Sequence, residues 1–126
     1  MSHPPSPKRR IIERRKHPRI LTPSGALFSF KRLIEPVEFE EHTEGEGTIT
    51  ELSRGGCRLL SDIPLVIGEP YHLILQVSKK SRPIIIEGAV VRWTHENTHG
   101  IKFTSMQSIH ESHLRELLLE LRRPAP

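Results

Sequence analysis

Short runs of apolar and β-branched residues, each closed by a glycine, a proline or a polar turn, follow one another through most of this 126-residue chain. ALFSF at 26–30, TITELS at 48–53, CRLL at 57–60, YHLILQV at 71–77, IIIEGAVVRW at 84–93 and GIKF at 100–103 each read as a strand. YHLILQV alternates and sets Tyr71, Leu73, Leu75 and Val77 on one face. Gly88 inside its run predicts a bulge or a barrel bend, and Ile101 and Phe103 share a face. Arg54-Gly55-Gly56 is a tight connection between two strands. About six strands in so short a chain predict an all-β fold, a small closed or nearly closed barrel, which removes exposed edges. The period turns helical at 108–123, where Ile109, Leu114, Leu117, Leu118 and Leu121 form a stripe and Arg122 and Arg123 suit the C-terminal end. This C-terminal helix is expected to pack on the barrel or on a partner.

The length suits one domain, and no apolar run approaches the roughly 20 residues of a membrane helix. Charge is unevenly placed. Residues 1–19 hold seven Lys and Arg against one acid, Glu13, while the rest is net −2, so the formal +4 belongs to the N-terminal arm. Residues 1–10 read as a disordered tail, 11–20 as a flexible basic arm, and 24–105 as the barrel. An arm of this kind attracts phosphates, nucleic acid or an anionic membrane surface. Residues 35–46 hold six Glu and no Lys or Arg and read as a solvated hairpin or loop, with holding the basic arm as a further use. One cysteine, Cys57, excludes a disulfide framework and fits a reducing compartment; with no apolar stretch near the start to serve as a secretory signal, a cytoplasmic location is expected.

Two segments carry chemistry. Arg15-Lys16-His17-Pro18-Arg19 sets two arginines four apart with Arg14 directly before them. Each guanidinium is a permanent planar cation that can grip a phosphate or the edge of guanine and stack on a purine; a solvated basic run is the plainer alternative. Glu51-Leu52-Ser53-Arg54-Gly55-Gly56 ends one strand and turns into the next. Its serine can donate and accept, its carboxylate can accept from guanine N–H groups, and Gly56 permits a positive φ or the close approach of a ligand. An ordinary hairpin with a satisfied serine is the alternative here.

Taken together, Arg15 and Arg19, then Glu51, Ser53 and Gly56, then Val91 and Trp93, then Gly100 and Phe103 resemble the PilZ domain family over roughly residues 11–121. The resemblance implies a six-stranded antiparallel split barrel with a C-terminal helix, and a non-enzymatic bacterial receptor for the second messenger cyclic di-GMP. By position it implies that Arg15 and Arg19 clamp phosphates and guanine edges, that Ser53 and Glu51 hold the other side of a guanine, and that Gly56 keeps the turn clear. Arg14 matches the variant that takes an intercalated pair of ligand molecules, and Trp93 lines the site or joins the core. The family usually has Asp or Asn where this chain has Glu51, and the extra methylene displaces the carboxylate.

Two other functional classes fit parts of the chain. One is a small RNA- or DNA-binding barrel with a basic arm, opposed by only six Phe, Trp and Tyr and by the net acidic barrel. The other is a ligand-independent adaptor docking through helix residues 114–121. A downstream protein and a second copy of the chain are the macromolecular partners the reading allows. The pairs His95/His99 and His110/His113 read as solvated histidines rather than metal ligands, Cys57 as a small core residue, and neither metal nor cofactor is expected.

Overall fold

In the computed structural model, residues 18–33 and 44–122 are described. The elements are β1 (Ile20–Leu21), β2 (Leu27–Arg32), β3 (Glu44–Leu52), β4 (Gly56–Leu60), β5 (Pro70–Gln76), β6 (Ile84–His95), β7 (Thr98–Ser105) and α1 (Ser108–Arg122). The tail at 1–10, Arg14, Arg15 and most of the acidic stretch lie outside the described residues.

Six antiparallel strands close a barrel in the order β3-β2-β5-β6-β7-β4, with β4 returning to β3. The small strand β1 is an addition to this barrel. β2 covers one edge of β3 only as far as Thr48, and β1 takes over that edge at Glu51 and Leu52. This pairing carries the end of the basic arm to the mouth of the barrel, beside the turn that follows Leu52.

The alternation read in β5 holds: Tyr71, Leu73, Leu75 and Val77 are all buried. Phe28 and Phe30 stack with ring centroids 5.9 Å apart, and Tyr71 meets Phe30 edge-on at 5.6 Å. The Tyr71 hydroxyl accepts the Val66 N–H at 3.0 Å, so its polar tip is satisfied inside the core. Gly88 sits at a register shift between β6 and β7, as its place in the run predicts. The helix buries Leu114, Leu117 and Leu118 against the core, worth about 1.5–3 kcal/mol per side chain.

Three expectations are corrected. β3 begins at Glu44 rather than at Thr48, so this end of the acidic stretch is a strand of the β2–β3 hairpin, the hairpin rather than the loop of the two readings. Gly45 and Gly47 pair with Phe30 and Phe28, and a Cβ there would meet Ile63 Cδ1 and then the Phe30 ring at Gly45, and the Leu60 carbonyl oxygen and then the Phe28 ring at Gly47. The space at these positions is therefore already taken by Ile63, the β4 backbone and the aromatics of β2. Ile109 is exposed, because it precedes Leu114 by five residues and so lies about 140° away on the helix surface.

The histidines are the third correction. His95 is exposed, but His110 Nδ1 accepts the Ile85 N–H at 3.1 Å, and His113 Nε2 lies 3.0 Å from Arg82 Nη1. His99 is buried inside β7, and neither ring nitrogen has a hydrogen-bond partner among the described residues. Burial pushes its pKa below 6.5, and the nearby Ser61 backbone opposes this only in part. The folded protein thus favours the neutral ring, whereas the unfolded chain takes up a proton near pH 6.5. This contribution is complete above that pH and is lost as the pH falls from there toward the depressed folded value. Melting temperatures measured from pH 7.5 down to about 5 are expected to fall, and less steeply in His99→Leu.

Candidate functional site

The segment from Leu52 to Gly56 is built around one serine. Ser53 is buried, and its Oγ accepts the N–H groups of Gly55 at 3.3 Å and Gly56 at 3.1 Å while lying 3.2 Å from the Gly56 carbonyl. The Ser53 N–H also donates to the Gly56 carbonyl at 2.9 Å. The hydroxyl is thus spent on the shape of the bend. Gly56 does not adopt the left-handed region, which among the described glycines is used by Gly25 and Gly68. It is required by strand approach: a Cβ there would lie 2.1 Å from the Ile101 carbonyl oxygen of β7. The expected positive φ is therefore replaced by close approach, and what approaches is a neighbouring strand.

A cleft of about 330 Å³ opens at this bend. Arg19 enters from the start of β1, Ser53, Gly55 and Gly56 form one wall, and Trp93 with Arg92 of β6 and Lys102 of β7 forms the other. Among the described residues no carboxylate lines it. Three cations, a bend and an indole make a surface for anionic groups and flat rings.

Trp93 belongs to this wall rather than to the core. It is half-buried and lies over Gly100, where a Cβ would meet the indole Nε1 at 2.1 Å. The Arg58 guanidinium sits 5.6 Å from the Trp93 ring centroid. Arg58 Nη1 is 3.0 Å from Glu51 Oε2, and Arg19 Nη1 is 3.9 Å from Glu51 Oε1. Glu51 therefore holds arginines in this structure and does not itself line the cleft.

Of the residues singled out in the sequence, Arg19, Ser53, Gly56 and Trp93 meet in one cleft, with Glu51 behind its rim. Arg14 and Arg15 lie outside the described residues. Sequence reasoning missed Arg58, Arg92 and Lys102. Alternation in GIKF gives Lys102 an outward place, but Arg58 meets Glu51 only through the β3–β4 register, which shifts between Ile49 and Glu51. Cys57 is buried as expected, and burial raises its thiol pKa far out of the range of a nucleophile. Among the described residues no group of His, Cys, Asp and Glu could hold a metal ion, and no helix is long and apolar enough to cross a membrane.

The sequence matches the family model of the PilZ domain over residues 13–120. The chain belongs to the PilZ domain family. Its fold is similar to YcgR of Escherichia coli in complex with c-di-GMP, with a TM-score of 0.68, 18% identity, and coverage of 87% of this chain and 46% of that one. It is similar to the isolated PilZ domain of the same protein with c-di-GMP, with a TM-score of 0.65 and 17% identity over 87% of this chain and 92% of that one. The MrkH–c-di-GMP complex of K. pneumonia aligns with a TM-score of 0.61 and 17% identity, over 85% of this chain and 51% of that one. The chain spans about half the length of full YcgR and MrkH. No curated protein sequence matches it significantly. At these identities the structural likeness establishes the barrel and its helix, the six-stranded PilZ architecture with β1 added.

Proposed function

We propose that this PilZ domain is a non-enzymatic receptor for c-di-GMP and that the ligand binds in the cleft between Arg19, the Ser53 bend and Trp93. The observation that carries this reading is the convergence of Arg19 with that bend, which β1 brings about by pairing with the last residues of β3. The ligand offers two phosphodiesters and two guanines. Arg14, Arg15 and Arg19 take the phosphates and the guanine edges, as forked donors suit both. Trp93 offers a face for a base, and Lys102 and Arg92 add positive potential. The cleft falls within the ~300–1,000 Å³ range of small-molecule sites.

Ser53 acts through the bend it closes, and Gly56 by letting β4 lie close on β7. Capture draws Arg14 and Arg15 onto the cleft beside Arg19. The surface so created is what a downstream protein reads. Holding each arm residue costs about 1–2 kcal/mol, and charge-assisted bonds of about 1.5–3 kcal/mol each offset this.

A calorimetric panel of c-di-GMP, GMP, cyclic GMP and single-stranded RNA at two salt concentrations tests the proposal. Saturable binding of c-di-GMP, well above that of the mononucleotides, is expected. Absence of c-di-GMP binding at high micromolar ligand overturns the reading. RNA binding with steep salt dependence would replace it by the nucleic-acid reading.

A further inference from the structure

The outer face of the barrel carries one row of residues leading to the cleft. Strand register aligns Trp93 with Gly100, Gly100 with Arg58, Arg58 with Glu51, and Glu51 with Leu21, across β6, β7, β4, β3 and β1. Gly100 has no side chain, so Trp93 lies across it toward Arg58. One carboxylate, Glu51, then serves two guanidiniums, tightly at Arg58 (3.0 Å) and loosely at Arg19 (3.9 Å). Arg58 Nε is buried and has no hydrogen-bond partner among the described residues. The arginine beside the indole thus has a donor unused, and its charge is answered from within the protein.

We propose that Arg58, which lies beside Trp93 next to the cleft rather than in its lining, is a further phosphate-binding residue and that Glu51 is a built-in counter-anion which a ligand phosphate replaces. This rests on the reading of the cleft as a c-di-GMP site. A phosphodiester and a carboxylate each present two oxygens sharing one negative charge, and both match the guanidinium fork. A phosphate arriving beside Arg19 and Trp93 competes with Glu51 for the Nη donors of Arg19 and Arg58. Glu51 reaches both arginines with its longer side chain. The substitution of Glu for the family's usual Asp or Asn thereby changes the role of the position from contacting a base to setting the affinity of its neighbours for phosphate.

The sign of one mutational effect decides the matter. If Glu51 accepts hydrogen bonds from guanine, Glu51→Gln weakens binding. If it is a counter-anion, Glu51→Gln strengthens binding by about 1.5- to 5-fold. Titrations of wild type, Glu51→Gln, Arg58→Ala and the double variant with c-di-GMP are followed by calorimetry and by the fluorescence of Trp93, the one tryptophan of the chain. Melting temperatures confirm that each variant is folded. The expected result is tighter binding by Glu51→Gln, weaker binding by Arg58→Ala, and loss of the Glu51→Gln gain in the double variant. Equal or weaker binding by Glu51→Gln, or a gain that survives without Arg58, overturns the proposal. Inorganic pyrophosphate is titrated in parallel. If none of the four proteins binds c-di-GMP, the receptor reading fails, and tighter pyrophosphate binding by Glu51→Gln than by wild type keeps the counter-anion role while equal or weaker binding overturns it.

Discussion

Arg19→Ala is expected to lower the affinity for c-di-GMP by about 10- to 150-fold, the loss of one charge-assisted bond at about 1.5–3 kcal/mol. Stability scarcely changes. The Arg19 side chain is 36% exposed and its contact with Glu51 is 3.9 Å long, and surface pairs of this kind contribute about 0–1 kcal/mol. The separation of the two effects is the point of the experiment: calorimetry reads the affinity, and thermal unfolding reads the fold. Arg19→Lys keeps the charge and loses the fork, so it falls between wild type and alanine. A tenfold fall in affinity accompanied by a large fall in melting temperature would instead assign Arg19 to the structure of the barrel mouth.

Gly56→Ala is expected to act in the opposite way, on the fold first. The new methyl would lie 2.1 Å from the Ile101 carbonyl oxygen, 3.2 Å from its carbon and 3.4 Å from the Lys102 Cα. All three are backbone atoms of β7, so no side chain can swing aside. β4 must move away from β7 at the Gly56–Lys102 pair, next to the hydrogen bond from Phe103 N–H to the Gly55 carbonyl. Overpacking of this kind costs about 3 kcal/mol, which for a domain of this size lowers the melting temperature on the order of 12–24 °C. A melting temperature within about 2 °C of wild type would contradict this account of the glycine.

Much of this fold is legible from local pattern. β5 alternates because one face is core and the other is water, and the leucines of α1 follow the helical period because one stripe meets the barrel. The start of β3 escaped notice because two of its positions are glycines, whose side-chain space is taken by Ile63, the Leu60 carbonyl and the rings of Phe28 and Phe30. No pattern in 44–47 alone carries that information. His99 escaped for a related reason: a polar residue in a strand announces its burial only when both neighbouring strands are in place, here through Leu59 and Thr94.

The site divides in the same way. Arg19, Ser53 and Gly56 stand out because their spacing resembles the family motif, whereas Arg58 becomes meaningful only when the hairpin register brings it to Glu51. Ser53 is partly the plain turn serine, since its hydroxyl bonds the bend, and it nevertheless lines the cleft. A ligand in the proposed site would meet this residue through the bend that it closes.

The most direct measurement is a ¹⁵N-edited NMR titration of the full chain with c-di-GMP. The shifts are predicted to concentrate at the backbone N–H groups of Arg19, Gly55, Gly56 and Lys102 and at the indole N–H of Trp93. A second cavity, separate from the cleft and lying between Lys80, Arg82 and the helix at His113 and Glu116, is predicted to stay unchanged. No shifts at millimolar ligand, or shifts centred on that second cavity, would contradict the account.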